Sequence, residues 1–454
     1  ALAHTTVPDE FRSLPATIAL IRASNAQILG NLTETVNYTE LSMQLAPEDN
    51  VYLRAQAAIT LGFTHWATGN LEASLRAIYA WMEDMQRMGN SVFAIASVFA
   101  VADMLVTLGR LGEAEKALRQ AIQAADAQGP EAKTATAHHH LGLALLAHQR
   151  GDDAAAAQYL GTAAELGQRT TLIDWRYRWN LAQACLKESV GEWDAALSLL
   201  DEASRAYVQN PVPILRPIEA LKTRIYLKQG RLDKAAAWAR ERGLSVTDEV
   251  SYQCEYEYLT LARARLGEGD FTGVNELLER LLAAAETQKR TESVIEILLT
   301  QALVYQAQSN QPQALARLQH ALALTEPEGY LRIFVDQGEA MRLLLLKFMS
   351  ANENQAARSL RSYVDRIVAA FSPPAEIIAK SVTTSLGSVL VEPLTNRELE
   401  ILRLIAAGQS NAEISRRLYL ALSTVKGHNL RIFGKLQAQN RTEAVARARE
   451  LGLL

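Results

Sequence analysis

The sequence predicts an all-α protein in which a solenoid of helix pairs is followed by a small helix-turn-helix domain. Three observations support this fold class. A turn signal recurs at a nearly constant spacing, the residues between the turns show helical apolar spacing, and the terminal part of the chain carries three helix-start motifs. With 454 residues, 49% of them hydrophobic, the chain is long enough for two or more domains.

The turn signal is a glycine (once a serine) followed by a polar residue, with a small or β-branched residue five positions after the glycine. It begins at positions 30, 69, 109, 151, 191, 230, 269 and 309, so the spacing between successive signals is nearly constant. Between the turns, apolar residues fall at i, i+3, i+4 and i+7, so each unit should hold two helices of about 15 residues. An irregular helical bundle is the alternative interpretation.

Helix pairs repeated at a fixed spacing bury their apolar faces by stacking on their neighbours, which produces a solenoid with a concave surface. The Gly-x-[Leu/Phe]-x-x-Ala turn resembles that of tetratricopeptide repeats, although the period here is longer than theirs. The predicted organisation is a solenoid, closing helices (within 328–349 and 355–371), a Pro/Ser-rich linker and a terminal domain. Their ranges are 1–345, 346–371, 372–392 and 393–454.

Charge is distributed unevenly along the chain. Residues 393–454 contain ten Lys/Arg and five Glu, a net charge of +5, whereas the remainder carries 36 Lys/Arg and 45 Asp/Glu, a net charge of −9. A basic module on an acidic body indicates a polyanionic partner at one end. The two cysteines suit a reducing cytoplasm, and no apolar run is long enough for a membrane span. Because the first residue is not Met, the numbering is expected to begin inside a longer chain.

The terminal module is predicted to form four helices, at about 396–407, 411–419, 423–436 and 441–451. Thr395, Ser410 and Asn440 are each followed three positions later by Glu, which matches the capping box that starts a helix. The second and third helices are separated by the short turn "YLAL". Two helices joined by so short a turn indicate a helix-turn-helix.

The third helix, which begins near Ser423, is then predicted to enter the major groove of DNA. Its early polar residues suit base contacts, while nearby basic residues suit phosphates, which orient the domain without specifying sequence. The alternative is an ordinary solvated face of a small helical cap. The predicted DNA-binding residues are Ser423, Thr424, Lys426, Gly427, His428, Asn429, Arg431, Lys435, Arg416, Arg417 and Arg441.

These motifs carry a family resemblance. The elements "LTNRE", "GQSNAEI", "STVKGH" and "NRTEAV" resemble a LuxR-type DNA-binding domain over all of 393–454. Together with the repeats, the chain is similar to the C-terminal part of the large ATP-binding, MalT-like LuxR regulators. The resemblance implies a bacterial transcription activator of the cytoplasm and nucleoid. It further implies double-stranded DNA and RNA polymerase as partners, a small-molecule inducer bound by the repeats, and self-association.

The sequence departs from the family at two positions in this domain. Leu430 stands where many relatives carry a polar or basic residue, and Gln437 replaces a common glycine. No phosphate-binding Gly-x-x-x-x-Gly-Lys-[Ser/Thr] motif occurs, so we expect no cofactor in this chain and ATP only in an absent N-terminal domain.

The concave face of the solenoid is the expected position of an inducer. We selected positions on this face by counting back a constant number of residues from each turn signal and by adding neighbours on the same helix faces. The side chains at these positions suit a sugar or another polar ring-bearing ligand. The alternative is that the aromatic residues Trp175, Trp179, Tyr256 and Tyr258 fill the core between repeats. The predicted ligand-binding residues are His138, Asp174, Arg178, Tyr252, Tyr256, Arg263 and Glu296, with Pro217 at the equivalent position of its unit.

Enzymatic and metal functions are not expected. Consecutive side chains in "HHH" (138–140) point about 100° apart on a helix, so they cannot converge on one metal ion. No nucleophile–base or paired-carboxylate arrangement is recognisable. The sequence therefore predicts a ligand-controlled transcription regulator, with a scaffold that binds a protein or peptide in its groove as the alternative.

Overall fold

The computed structural model describes residues 11–170, 172–351, 355–371, 396–406, 409–418, 422–436, 438 and 441–450. The chain forms two compact units, Ala1–Pro373 and Pro374–Leu454. Helices make up both units, and the described residues contain no strand, which confirms the all-α prediction. The predicted linker 372–392 lies outside the described residues.

The first unit contains eight helix pairs, and each predicted turn signal lies between the two helices of a pair. The sequence-derived repeat is therefore confirmed. The first four pairs are α1–α2 (Leu14–Ile28, Leu32–Leu45), α3–α4 (Val51–Ala67, Leu71–Arg87), α5–α6 (Ser91–Thr107, Leu111–Gln128) and α8–α9 (Ala137–Gln149, Asp153–Gly167), with the short α7 (Pro130–Thr134) inserted. The last four are α10–α11 (Trp175–Ser189, Trp193–Ala206), α12–α13 (Ile218–Lys228, Leu232–Glu241), α14–α15 (Glu255–Glu268, Val274–Thr287) and α16–α17 (Thr291–Ala307, Gln311–Thr325).

Local chemistry explains why the second helix of a pair begins where it does. The turn glycines have positive φ, for example +75° at Gly109 and +77° at Gly151, which other residues rarely adopt. In some turns the residue after the glycine also caps the next helix: the side chain of Asp152 accepts a hydrogen bond from the Ala155 backbone N–H at 3.0 Å. Alanines close to the turn, such as Ala156, are buried and allow the paired helices to approach closely.

The sixth pair is shorter than the sequence predicts. Its helices α12 and α13 have 11 and 10 residues, and non-helical segments precede and follow the pair. The closing region also differs from prediction. The stretch 328–349 forms two helices, α18 (Arg332–Val335) and α19 (Glu339–Ala351), because Gly338 with φ +77° interrupts it. The last helix of the unit is α20 (Gln355–Ala370).

The solenoid closes on itself along a seam between distant repeats. The turns of the second to fifth pairs contact residues 288–291 and 328–332, which are far away in sequence. Four hydrogen bonds mark the seam: Gln288 Nε2 to Thr68 O (3.0 Å), Gly112 N to Glu328 Oε2 (2.8 Å), Leu331 N to Gln149 O (2.8 Å) and Arg332 Nη2 to Ser189 O (3.1 Å). The inner face of the early repeats is therefore covered by the later ones.

The glycine at residue 109 has a second role at this seam. A Cβ on Gly109 would lie 2.7 Å from Cβ of Thr291, closer than real Cβ atoms approach. At Gly230, in the corresponding turn of the sixth pair, a Cβ would meet nothing within 4 Å. Gly109 thus combines the backbone requirement of a turn with a close contact between repeats.

The second unit contains four described helices, α21 (Asn396–Ala406), α22 (Asn411–Leu418), α23 (Leu422–Lys435) and α24 (Arg441–Glu450). Their bounds agree closely with the predicted helices. They enclose a core of fully buried side chains contributed by all four helices. The core consists of Ile401, Leu402, Ile405, Ile414, Val425, Ile432, Leu436, Ala444 and Ala448.

Candidate DNA-binding surface and ligand cleft

The helix-turn-helix geometry is set by a capping box at the start of α22. Ser410 Oγ accepts a hydrogen bond from the Glu413 backbone N–H at 3.3 Å, and the Glu413 carboxylate accepts one from the Ser410 N–H at 2.7 Å. Only three residues separate the end of α22 at Leu418 from the start of α23 at Leu422. Val425 and Ile432 of α23 are fully buried, so the opposite face of this helix is the one available to DNA.

The structure describes three of the predicted DNA-binding side chains on α23 that do not belong to the buried core of the domain. Arg431 is exposed, and Lys435 is partly buried. His428 is also partly buried, and its Nδ1 has no hydrogen-bond partner among the described atoms. The other predictions remain untested because those side chains lie outside the described part: Ser423, Thr424, Lys426, Gly427, Arg416 and Arg417.

Two predicted DNA contacts are placed differently by the structure. Asn429 is buried, with 7% of its surface exposed, and donates a hydrogen bond to Asn411 Oδ1 at 2.8 Å. Arg441 donates to the backbone carbonyls of Ile405 (3.1 Å) and Gln409. Carbonyls at the end of a helix such as α21 lack intrahelical partners, and the guanidinium supplies one. Both side chains thus join helices of the domain, which the sequence prediction did not foresee.

The first unit contains a small cleft between the third pair and the sixth to eighth pairs. We call it the inter-turn cleft. Its volume is about 60 Å³, enough for a few water molecules or the tip of a larger ligand. The cleft is lined by Thr107, Leu215, Arg216, Tyr252, Glu255, Tyr256, Leu259, Glu292, Ser293 and Glu296.

Charged groups in the cleft are paired across repeats. Arg216 Nη2 lies 2.7 Å from Glu296 Oε1 and 3.2 Å from Glu292 Oε1. Arg263 Nη2 donates to the other Glu296 oxygen at 2.9 Å. Arg290, which is almost fully buried, pairs with Glu255 and lies 4.5 Å above the Tyr252 ring. Three guanidinium groups therefore face three carboxyl groups.

The two glutamates one turn apart on α16 have opposite electrostatic environments. Burial alone would raise the pKa of Glu296, but the positive charges of Arg216, Arg263 and Arg224 outweigh it and lower the pKa to about 2. For Glu292, burial dominates and the neighbouring Glu296 carboxylate adds to it, so its pKa is raised despite Arg216. Glu296 is thus stabilised as a carboxylate, whereas Glu292 is not.

A second polar cluster surrounds His138 on α8. The imidazole packs edge-on against Phe99 at 4.9 Å and stacks on Trp175 at 5.9 Å. Burial, followed by the positive charge of Arg178, holds the pKa of His138 well below its ordinary value, so the ring is neutral. Arg178 bridges Asp103 at 2.9 Å and Asp174 at 3.0 Å.

The structure divides the predicted ligand-binding residues between these two places. Tyr252, Tyr256 and Glu296 line the inter-turn cleft, and Arg263 reaches it through Glu296. In contrast, His138, Asp174 and Arg178 belong to the other cluster. His138, Asp174, Tyr252, Tyr256 and Glu296 are buried rather than open on a concave face. His138, for example, packs against Phe99 and Trp175 of the adjacent repeats.

The aromatic residues support the alternative interpretation in part. Trp175 and Trp179 pack with Leu141 and Ala163 between repeats. Tyr258 belongs to the main core, where its hydroxyl donates to Asp248 at 3.1 Å. Tyr256 packs on Trp238 but also lines the cleft, and its hydroxyl has no hydrogen-bond partner among the described atoms.

Arg216 and Glu292 also line the cleft, but they are not among the residues predicted from the sequence. Glu292 lies one helical turn before Glu296, so extension along the same face would have found it. Arg216 precedes α12 in a non-helical segment, where counting back by helical spacing selected its neighbour Pro217 instead.

A solenoid of helix pairs and a helix-turn-helix domain in one chain define the class of helical-repeat DNA-binding regulators. The family model of the MalT-like TPR region matches residues 16–351, and that of bacterial regulatory proteins of the luxR family matches residues 392–448. Since the first match covers most of the chain, the protein belongs to the MalT-like family of LuxR-type regulators. Among the described helices, none is long and apolar enough to cross a membrane.

Proposed function

We propose that the protein activates transcription by binding promoter DNA through residues 393–454, under the control of a small ligand bound by the solenoid. The paired helices α22 and α23, with Arg431 exposed on the face opposite the core, support the DNA-binding half of this proposal. Membership of a family of bacterial regulators points to a non-enzymatic role in the cytoplasm. No catalytic step is required of the described residues.

The inter-turn cleft supports the ligand half of the proposal. Its charges are balanced, so a neutral polar ligand fits better than an ion. The Tyr256 hydroxyl, which belongs to a residue that lines the cleft, is buried and lacks a partner among the described atoms. Groups of this kind bind hydroxyl or carbonyl oxygens, and Tyr252 offers an aromatic face. The ligand we propose is a sugar or a related polyol.

Self-association through the solenoid would convert ligand binding into activation. Two linked DNA-binding domains bind paired half-sites more tightly because the second binds at high effective concentration. By the same proposal, the assembled activator contacts RNA polymerase. Any ATP requirement would belong to a further domain outside this sequence.

Replacing Arg431 with alanine tests the DNA-binding half. In fluorescence anisotropy with the full chain, the slope of log affinity against log salt should fall by about 0.9, because one phosphate contact is lost. Arg403→Ala is the matched control, since Arg403 is exposed on α21 and no DNA contact is predicted for it. Equal slopes for both variants and the wild type would contradict the assignment of Arg431. An absence of salt-dependent duplex binding by the wild type would remove the proposed function.

Replacing Tyr256 with phenylalanine tests the ligand half. A thermal-shift screen of the full chain with neutral sugars and polyols should identify a compound that raises the melting temperature. Tyr256→Phe should weaken this shift without lowering the basal melting temperature, because it removes only an unpaired hydroxyl. The control is Tyr258→Phe, which should keep the shift, because the Tyr258 hydroxyl bonds to Asp248 away from the cleft lining. Stabilisation by peptides and not by sugars would favour the scaffold alternative.

A further inference from the structure

The inward face of α23 carries one polar residue among apolar ones. Val425, Asn429, Ile432 and Leu436 are all buried, and their spacing of four, three and four residues places them on one stripe of the helix. Three of the four are aliphatic and belong to the core of the domain. Asn429 is the exception, and its carboxamide lies where a leucine or valine would pack.

The Asn429 carboxamide donates a hydrogen bond to one residue of the neighbouring helix α22. Asn429 Nδ2 donates to Asn411 Oδ1 at 2.8 Å. Asn411 is the first residue of α22, and the capping box of Ser410 and Glu413 fixes the backbone on either side of it. The hydrogen bond therefore joins the rigid start of α22 to the middle of α23.

Stability does not explain the presence of this pair. Burial of an amide costs free energy, and the Oδ1 of Asn429 has no hydrogen-bond partner among the described atoms. An aliphatic side chain at the same position would avoid this cost. Single buried polar residues in otherwise apolar helix seams are known to fix register and orientation at the expense of stability.

We propose that the Asn411–Asn429 pair is a positioning device that sets the rotation and axial register of α23 on α22. This inference rests on the proposed DNA-binding function. Apolar side chains alone tolerate helix crossing angles that differ by roughly 15–20°. Hydrogen bonds to base edges require donor–acceptor distances within a few tenths of an ångström. The directional amide hydrogen bond would restrict the crossing angle to the narrow range that base contacts require, so that the first turns of α23 meet the DNA in one orientation.

The test measures DNA specificity with the full chain. A duplex enriched from a random library by the wild-type protein is compared with a scrambled duplex of the same composition. The double variant Asn411→Ala/Asn429→Leu should fold with unchanged or higher stability, because it removes both polar partners. Its affinity for the scrambled duplex and its salt dependence should be unchanged. Its preference for the enriched duplex should fall about tenfold, the discrimination carried by one well-placed base contact.

Conservative and single variants complete the experiment. Asn411→Asp keeps an acceptor at the same place and suits a helix N-terminus, so it should retain the wild-type preference. Asn411→Ala alone should lower stability, because it leaves the Asn429 amide unpaired. The inference is overturned if the double variant keeps the full preference, or if its binding to both duplexes falls equally. A wild-type chain that binds no duplex would instead refute the proposed function itself.

Discussion

Replacing Gly167 with alanine is expected to destabilise the solenoid by about 1–3 kcal/mol, the usual cost of overpacking a core. Gly167 is the last residue of α9 and is buried. A Cβ there would lie 2.0 Å from ring atoms of Trp175. The indole cannot move aside freely, because it packs against His138 at 5.9 Å and Trp179 at 5.4 Å. Urea unfolding of the full chain, followed by tryptophan fluorescence, measures the change.

A second glycine of α9 provides the matched control. At Gly161 a Cβ would meet nothing within 4 Å. Gly161→Ala should therefore stabilise the protein by about 0.5–1 kcal/mol, since alanine is the better helix former. The same substitution at two positions of α9 is thus expected to change the free energy of unfolding in opposite directions. Equal effects at the two positions would mean that Trp175 does not pack on Gly167. Combining Gly167→Ala with Trp175→Leu should recover part of the loss, because the two residues are in contact.

The repeat architecture could be predicted from sequence because it depends on local chemistry. A residue with positive φ, a glycine in seven of the eight turns, specifies the end of the first helix of each pair, and it recurs at a nearly fixed interval. The eight predicted turns all fall between paired helices for this reason. The break at Gly338 was missed because the apolar spacing of 328–349 continues across it.

Closure of the solenoid could not be predicted from the same signals. The bond between Gln288 and Thr68 spans 220 residues, and no local pattern of the turns encodes it. The turns at Gly109 and Gly230 look alike in sequence, yet a Cβ on Gly109 would meet Thr291 of a distant repeat, whereas a Cβ on Gly230 would meet nothing within 4 Å. Closure places Thr107 of the third pair on the same cleft as Tyr252, Tyr256 and Glu296, so the predicted open groove is a narrow cleft there.

For the residues of α23, too, helical spacing could predict one feature, the buried face, but not the contact with another helix. The inward stripe of α23 could have been extended from Val425 and Ile432 to position 429 by helical spacing. The polar character of Asn429 favoured the outward interpretation instead. Its partner Asn411 lies on another helix, 18 residues away, and only the folded domain brings the two amides together.

Replacing Glu296 with glutamine is expected to destabilise the protein by about 3 kcal/mol at neutral pH. The substitution keeps the size of the side chain but leaves the nearly buried guanidinium of Arg263, and the more exposed one of Arg216, without their shared carboxylate. The pKa of Glu296 is about 2 in the folded protein, below its unfolded value. Its contribution is therefore fully present above about pH 4.5 and is lost as the pH falls towards 2. Urea midpoints of wild type and variant should converge over that interval.

Replacing Glu292 with glutamine is expected to stabilise the protein, although it is the same substitution one helical turn away from Glu296. Burial and the nearby Glu296 carboxylate raise the pKa of Glu292, so its ionised form is disfavoured in the folded state at neutral pH. Removing this charge should increase the urea midpoint at pH 7, and the increase should shrink as the pH falls and the native carboxyl takes up a proton. Arg216 would keep Glu296 as its partner at 2.7 Å. Destabilisation by both variants would show that Arg216 depends equally on the two carboxylates, and the electrostatic asymmetry assigned to the cleft would then be wrong.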